Sequence, residues 1–232
     1  MPSQKIAQLR AGLRGIAHLD DHAGTDGAYT ISSLYLDTAD HRLFHANARE
    51  SGDRYKVRVR NYPDTPGAPV FLEVKRRIGD VIRKTRIAIS PDRWPAVLDA
   101  PRTPAEVAFV DLCGYRVLGP STVVRYRREA WVSELEEYAR VTFDCAIQAA
   151  PPTGWSLDVG GRGWRPIDHP IHTATRRAVT VVEMKFAGAA PVWMHRLIRR
   201  LDLRRFAFSK YGQGVESLMA PFGQRIAQST WG

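Results

Sequence analysis

Lysine and arginine recur at every second position in several stretches of this 232-residue sequence. Alternate side chains of a β-strand face the same way, so each stretch places its basic residues on one face of a strand. Guanidinium groups bind phosphate oxygens in pairs, and ammonium groups act as point charges. The pattern therefore predicts a surface for a chain of phosphates, built from Lys56, Arg58, Arg60, Lys75, Lys84, Arg86, Arg128 and Lys185.

Single carboxylates stand among these cations on the same faces: Glu73, Asp144 and Glu183. A divalent ion bridges the oxygens of a phosphate chain, and carboxylate oxygens are suitable ligands for Mg²⁺ or Mn²⁺. We therefore expect these carboxylates to hold one of the two metals. For any one strand, the same alternation is also typical of a sheet with a solvated face, on which the charges have no special role.

The elements that must position these side chains follow from apolar spacing and turn residues. Helical spacing predicts helices over 3–19, after Ser90, after Thr103 (which begins a capping box), after Pro191 and over Lys210–Met219. The stretch 149–167 is rich in proline and glycine and predicts a long mobile loop. Period-two spacing predicts strands at Tyr29–Asp37, Tyr55–Tyr62, Val70–Arg76, Val81–Ser90, Thr122–Trp131, Ala139–Gln148 and Thr180–Phe186.

This order predicts an α+β fold with a mainly antiparallel sheet, in one domain over 1–232. The strand faces opposite the cations are apolar, and the amphipathic helices near both ends of the chain can cover them. A sheet whose apolar face points outward to helices has its charged face inward. If such a sheet curls shut, it forms an antiparallel β-barrel with a charged lumen, flanked by helices. Like charges repel in an empty lumen, so a polyanion is the expected occupant.

The formal net charge of +10 also favours an anionic partner. Nucleic acid is not the partner that we expect, because the sequence carries no helix-turn-helix, zinc-finger or RRM signature and many cations lie in strands beside carboxylates. Two cysteines, Cys113 and Cys145, are too few for a disulfide framework and favour a reducing compartment. No apolar run approaches the length of a membrane span and no secretory signal begins the chain, so we expect a cytoplasmic protein.

Eight short segments together resemble the VTC domain, the polyphosphate polymerase domain of the vacuolar transporter chaperone complex in the CYTH (triphosphate tunnel) superfamily. Their order and spacing cover nearly the whole chain. The segments are Ser33-Leu34-Tyr35-Leu36-Asp37-Thr38-x-Asp40, Lys56-x-Arg58-x-Arg60-x-Tyr62, Leu72-Glu73-Val74-Lys75-Arg76, Lys84-x-Arg86, Tyr126-x-Arg128-x-Ala130, Val141-Thr142-Phe143-Asp144, Val182-Glu183-Met184-Lys185-Phe186 and Phe208-Ser209-Lys210-Tyr211.

The resemblance implies a tunnel barrel that transfers the γ-phosphate of ATP to a growing polyphosphate chain with Mn²⁺ or Mg²⁺. It implies that Glu183 holds the metal, that Lys210 lies near the reacting phosphate, and that Arg128 acts with them in catalysis. It also implies a membrane-protein partner for export of the product. The implied phosphate ligands at matching positions are Arg58, Arg60, Lys75, Lys84, Tyr126 and Arg128.

Family members normally begin with a strand of the type Arg-x-Glu-x-Lys-Tyr, whereas this sequence starts at the helix that follows it. Either the sequence is truncated or its tunnel lacks that wall strand, and both alternatives bear on activity more than on fold. Two other functions stay open at this point: hydrolysis of triphosphate by the same fold, and binding of polyphosphate without turnover. The oligomeric state does not follow from the sequence.

Overall fold

The computed structural model describes residues 1–220 except 2, 136–137, 162 and 170–177. Two 3₁₀ turns, Pro91–Arg93 and Ala96–Leu98, precede the third helix. The order of elements confirms the α+β prediction. The elements are α1 (Ser3–Leu13), β1 (His18–Leu19), β2 (Tyr29–Asp37), α2 (Arg42–Ala48), β3 (Asp53–Asn61), β4 (Val70–Ile78), β5 (Val81–Ile89), α3 (Pro104–Tyr115), β6 (Gly119–Ser133), β7 (Ala139–Ala150), β8 (Arg165–Pro166), β9 (Val181–Phe186), α4 (Val192–Arg200) and α5 (Lys210–Met219).

All of these strands join one antiparallel sheet. Its main path runs β5-β4-β3-β2-β6-β7-β8, with β1 paired to β6 and β9 paired to β7. Over the described ranges no ladder links β5 to β9, so the predicted barrel is a curled sheet that approximates a tunnel and does not close. The curl brings Lys75 of β4 near β9. Burial lowers the pKa of Lys75, and the charges of Glu183 and Lys185 on β9 act on the same pKa in opposite directions.

The strand register aligns the basic rows across the sheet. Lys56 of β3 lies opposite Lys75 of β4, which lies opposite Lys84 of β5. Two residues further along β3, Arg58 lies opposite Glu73 of β4, and Glu73 lies opposite Arg86 of β5. Because paired residues project to the same face, these six side chains share the concave face. The alternation in the sequence thus predicted the composition of this face.

Helices cover the convex face, as the sequence predicted. Phe109 and Cys113 of α3 pack on a cluster that includes Leu34, Val57 and Leu72. Helices α1 and α4 cover a second region around Val141 and Phe143, with side chains such as Leu9 and Met194. None of the helices in the described ranges is long and apolar enough to span a bilayer.

Two helices lie inside the curl, which the sequence did not indicate. Phe44 of α2 and Tyr211 and Val215 of α5 pack against inward residues of the sheet, including Val124 and Ile147. Gly214 permits the close approach of α5, since a Cβ there would lie 3.2–3.3 Å from side chains of β6 and β7. The concave surface therefore has an apolar half under these helices and a charged half beside them.

Two local predictions were wrong, and a third was right only in part. Helix α1 ends at Leu13, not at residue 19, because Gly15 adopts a φ of +86° and His18–Leu19 then pair with β6. The helix predicted after Ser90 is replaced by the two short 3₁₀ turns, and the Ser90 side chain makes no capping hydrogen bond. The predicted long loop is present between β7 and β8, but it packs on the convex cluster through Trp155 and its neighbours, which argues against mobility; its Arg162 lies outside the described residues.

The third helix has its predicted start. The Glu106 amide donates to the Thr103 hydroxyl at 3.2 Å, which is the N-cap bond. The Glu106 carboxylate accepts from the Arg102 amide at 2.7 Å instead of from the Thr103 amide, so the capping box is only half formed. The Glu106 carboxylate also accepts hydrogen bonds from Arg93, which ties the helix to the first of the two 3₁₀ turns.

Candidate functional site

A buried carboxylate lies at the centre of the first cation cluster. Glu73 is 2% exposed, and its Oε2 accepts a hydrogen bond from Arg58 Nε at 2.5 Å. Three more cations lie within 3.5–3.8 Å of its carboxylate: Arg60, Lys84 and Arg86. Burial alone would raise the pKa of Glu73, but Arg58 and Arg60 hold it at about 2. Glu73 therefore stays ionised and holds four cations together.

Two tyrosines fix the orientation of the arginines in this cluster. Arg58 Nη1 donates to the Tyr35 hydroxyl at 3.1 Å, and Arg60 Nη2 donates to the Tyr126 hydroxyl at 3.5 Å. Arg60 Nε also donates to Ser33 Oγ at 3.2 Å. Burial acts to raise the pKa of Tyr35, but the charges of Arg58 and Arg60 outweigh it and lower that pKa. The guanidinium groups are thus held in place by neighbouring side chains of the protein.

A second buried carboxylate joins β6, β7 and α5. Asp144 is fully buried and accepts two hydrogen bonds from Arg128, at 2.7 and 2.8 Å. Lys210 Nζ lies 2.7 Å from the same carboxylate and 4.8 Å from the centre of the Tyr126 ring. Burial would raise the pKa of Asp144, but Arg128 and Lys210 lower it. The sequence-predicted Lys210, Arg128 and Tyr126 therefore lie in contact on one wall.

The strand β9 contributes a more open pair. Glu183 has a side chain that is 43% exposed, with Lys185 at 3.2 Å and Arg128 at 4.0 Å. Burial acts to raise the pKa of Glu183, but Lys185 lowers it. Among Glu73, Asp144 and Glu183, only Glu183 has a carboxylate that is accessible to a ligand in the lumen.

These surroundings bear on the predicted metal site. The described residues contain no group of three or more His, Cys, Asp or Glu side chains that could hold a metal. Cations occupy the surroundings of Glu73 and Asp144, so metal roles for these two stay predictions that would require the cations to move. Mg²⁺ commonly uses one or two carboxylates and completes its shell with water and substrate phosphates. Of the three predicted metal ligands, Glu183 is the one with an accessible carboxylate that fits this requirement.

Sequence reasoning missed the polar residues that position the cations. Tyr35 and Ser33 alternate along β2 and contact the arginines of β3, so period-two spacing in β2 was the available signal. The Tyr211 hydroxyl donates to Asp37 Oδ2 at 2.5 Å, which links the end of β2 to α5. No local pattern indicated this contact between residues 174 positions apart.

Comparison with known proteins gives one family. The family model of the VTC domain matches residues 1–219. A Bacillus halodurans protein, provisionally named an adenylate cyclase, is 12% identical over 90% of this chain and 89% of its own, with a TM-score of 0.52, a likeness of fold alone. The PH1819 protein of Pyrococcus horikoshii OT3 is 10% identical over 93% of this chain and 91% of its own, with a TM-score of 0.44. No curated protein matches the chain.

Proposed function

Because the chain belongs to the VTC domain family and has the triphosphate tunnel fold, we propose that it is a polyphosphate polymerase, whose partners are ATP and inorganic polyphosphate. The observation that carries the proposal is the convergence of two cation clusters, around Glu73 and around Asp144, on one concave face. Arginine and lysine side chains bind phosphate oxygens, and two clusters of them on one face can bind successive phosphates of a chain.

The proposed reaction is transfer of the γ-phosphoryl group of ATP. A terminal oxygen of polyphosphate attacks the γ-phosphorus, the bond to the β,γ-bridging oxygen breaks, and ADP leaves with the electron pair. This chemistry needs alignment and neutralisation of charge more than it needs covalent help from the protein. Arg58 and Arg60 align the phosphates, while Lys210 and Arg128 neutralise the charge on the transferred group.

We propose Mn²⁺ or Mg²⁺ as the cofactor, with Glu183 as its ligand from the protein. When bound, the metal would neutralise part of the negative charge of the phosphates. Arg128 lies 4.0 Å from Glu183 and keeps two hydrogen bonds to Asp144. The guanidinium has five N–H donors, and the other three make no hydrogen bond within the described part of the chain, so they can face the phosphates.

Neighbouring residues of β5 provide a matched test of where the anion binds. Lys84 lies on the concave face, 3.7 Å from Glu73, and the adjacent Arg83 is exposed on the other face. We expect Lys84→Glu to lose calorimetric binding of tripolyphosphate with Mn²⁺, and Arg83→Glu to keep it. Equal losses in both variants would indicate attraction by net charge alone and would refute a site in the tunnel.

Time-resolved gels of the products test the reaction. Growth of chains from ATP with release of ADP is the expected result. Release of orthophosphate without chain growth would make the protein a triphosphate hydrolase, and tight binding with neither product would make it a binding module. A membrane-protein partner for export is a further part of the proposal, and co-purification with membrane proteins under mild detergent is its test.

A further inference from the structure

A cavity of about 190 Å³ opens beside the charged face, between α2, the start of β3 and the beginning of α5. Its apolar lining comes from Phe44, Ala48, Ala207 and Phe208, and its amide lining from Asn47 and Gln213. Aromatic and apolar walls with a few polar groups are typical of sites for small organic molecules. The phosphate-binding function uses none of these apolar and amide side chains.

A second cavity of about 110 Å³ adjoins the first and shares Asn47, Arg54 and Lys56 with it. Lys75 and Arg77 also line this smaller cavity, and no carboxylate does so among the described residues. In the same ranges, neither Lys56 nor Lys75 has an ion pair, and Lys56 donates to Ser209 Oγ at 3.1 Å. The smaller cavity therefore has uncompensated positive charge, and it lies between the larger cavity and the cation clusters.

The hydrogen bonds of Asn47 limit which molecules can occupy the larger cavity. Its Nδ2 donates to the Leu43 carbonyl at 2.8 Å and to the Tyr55 carbonyl at 2.6 Å, which uses both amide hydrogens. The side chain can then only accept a hydrogen bond, through its carbonyl oxygen. An occupant with an exocyclic amino group or sugar hydroxyls, and with a flat face to pack on Phe208, satisfies these features.

We propose that the larger cavity holds the base and ribose of a nucleoside triphosphate, whose phosphates pass Lys56 and Lys75 to reach the cation clusters. This inference rests on the proposed function, because it gives a place to the nucleoside of the phosphate donor. It assigns Phe208, Asn47 and Ala207 to recognition of the nucleoside. The apolar and amide side chains of the cavity contribute nothing to a ligand that lacks a nucleoside, and that difference makes the inference testable.

The test fills the cavity and compares two ligands by calorimetry. Ala207 is exposed, so Ala207→Trp adds an indole at the cavity wall without disturbing the core. We expect affinity for the non-hydrolysable imido analogue of ATP to fall at least about tenfold, which corresponds to about 1.4 kcal/mol. Affinity for tripolyphosphate, which has no nucleoside, should stay within about twofold, a difference of about 0.4 kcal/mol.

Two further variants keep the test decisive. Ala48→Trp fills the same cavity from α2, and Ala96→Trp places an indole at an exposed position outside both cavities. Thermal unfolding checks that each variant is folded before ligands are compared. Folded Ala207→Trp and Ala48→Trp chains that bind both ligands like the parent, or that weaken both equally, refute the nucleoside site while the proposed function stands. Absence of tripolyphosphate binding by the parent refutes the proposed function, and the nucleoside site with it.

Discussion

Replacement of Glu73 by glutamine separates its role as a counterion from a role as a metal ligand. The ordinary pKa of a glutamic acid is 4.5, and the surrounding cations hold that of Glu73 at about 2. One pKa unit corresponds to about 1.4 kcal/mol, so ionised Glu73 stabilises the folded chain by about 3 kcal/mol at neutral pH. We expect Glu73→Gln to lower the free energy of unfolding without ligand by about that amount.

The same substitution should strengthen anion binding. Glutamine has nearly the size of glutamate but leaves Arg58, Arg60, Lys84 and Arg86 without their shared counterion. Tripolyphosphate can supply the missing negative charge, so we expect it to bind the variant more tightly than the parent at low salt. Ligand then raises the stability of the variant more than that of the parent. A metal ligand would behave in the opposite way, since its loss weakens metal-dependent binding.

Urea unfolding with and without tripolyphosphate, at several pH values, measures both effects. The folded-state pKa of Glu73 lies below the unfolded value, so its contribution is complete above about pH 4.5 and declines as the pH falls toward 2. The difference in unfolding free energy between parent and variant should shrink over this range. Glu134→Gln, at an exposed position, is the matched control. A change under about 1 kcal/mol at neutral pH, or weaker tripolyphosphate binding, would refute the counterion role.

Two further substitutions test the other parts of the site. Glu183→Gln should abolish metal-dependent turnover and keep most tripolyphosphate binding, as measured by product gels and calorimetry, and full activity would show that Glu183 does not hold the metal. Tyr211→Phe removes a hydrogen bond to the carboxylate of Asp37 and should lower the free energy of unfolding by about 1.5–3 kcal/mol in urea titrations. An unchanged unfolding midpoint would contradict that role.

The strands and their charged faces could be predicted because the relevant signal is local. Period two in the sequence places Lys56, Arg58 and Arg60 on one face, whatever the strand pairs with. β2 has its predicted bounds, Tyr29–Asp37, and the other long strands lie within a few residues of theirs. Hairpin connections then bring β3, β4 and β5 side by side, so the basic rows align without further information.

The closure of the sheet and the state of the carboxylates could not be predicted in the same way. Whether β5 meets β9 depends on the twist that accumulates over all strands of the sheet, and no single segment of the sequence determines it. The surroundings of Glu73 depend on register across three strands, and those of Asp144 depend on Lys210, 66 positions further along the sequence. Residue type alone therefore could not distinguish Glu73 and Asp144, which are surrounded by cations, from the accessible carboxylate of Glu183.

The contact between Asp37 and Tyr211 links two segments that lie far apart in the sequence. Asp37 accepts from the amides of Leu43 and Phe44 and so fixes the start of α2, and it accepts from Tyr211 in the first turn of α5. The Tyr211 ring also stacks on Tyr35 at 4.7 Å. α5 begins at Lys210, so these contacts determine where the Lys210 ammonium meets Asp144. The two segments thus hold Lys210 in position, and loss of the Asp37 carboxylate should displace the Lys210 ammonium from Asp144.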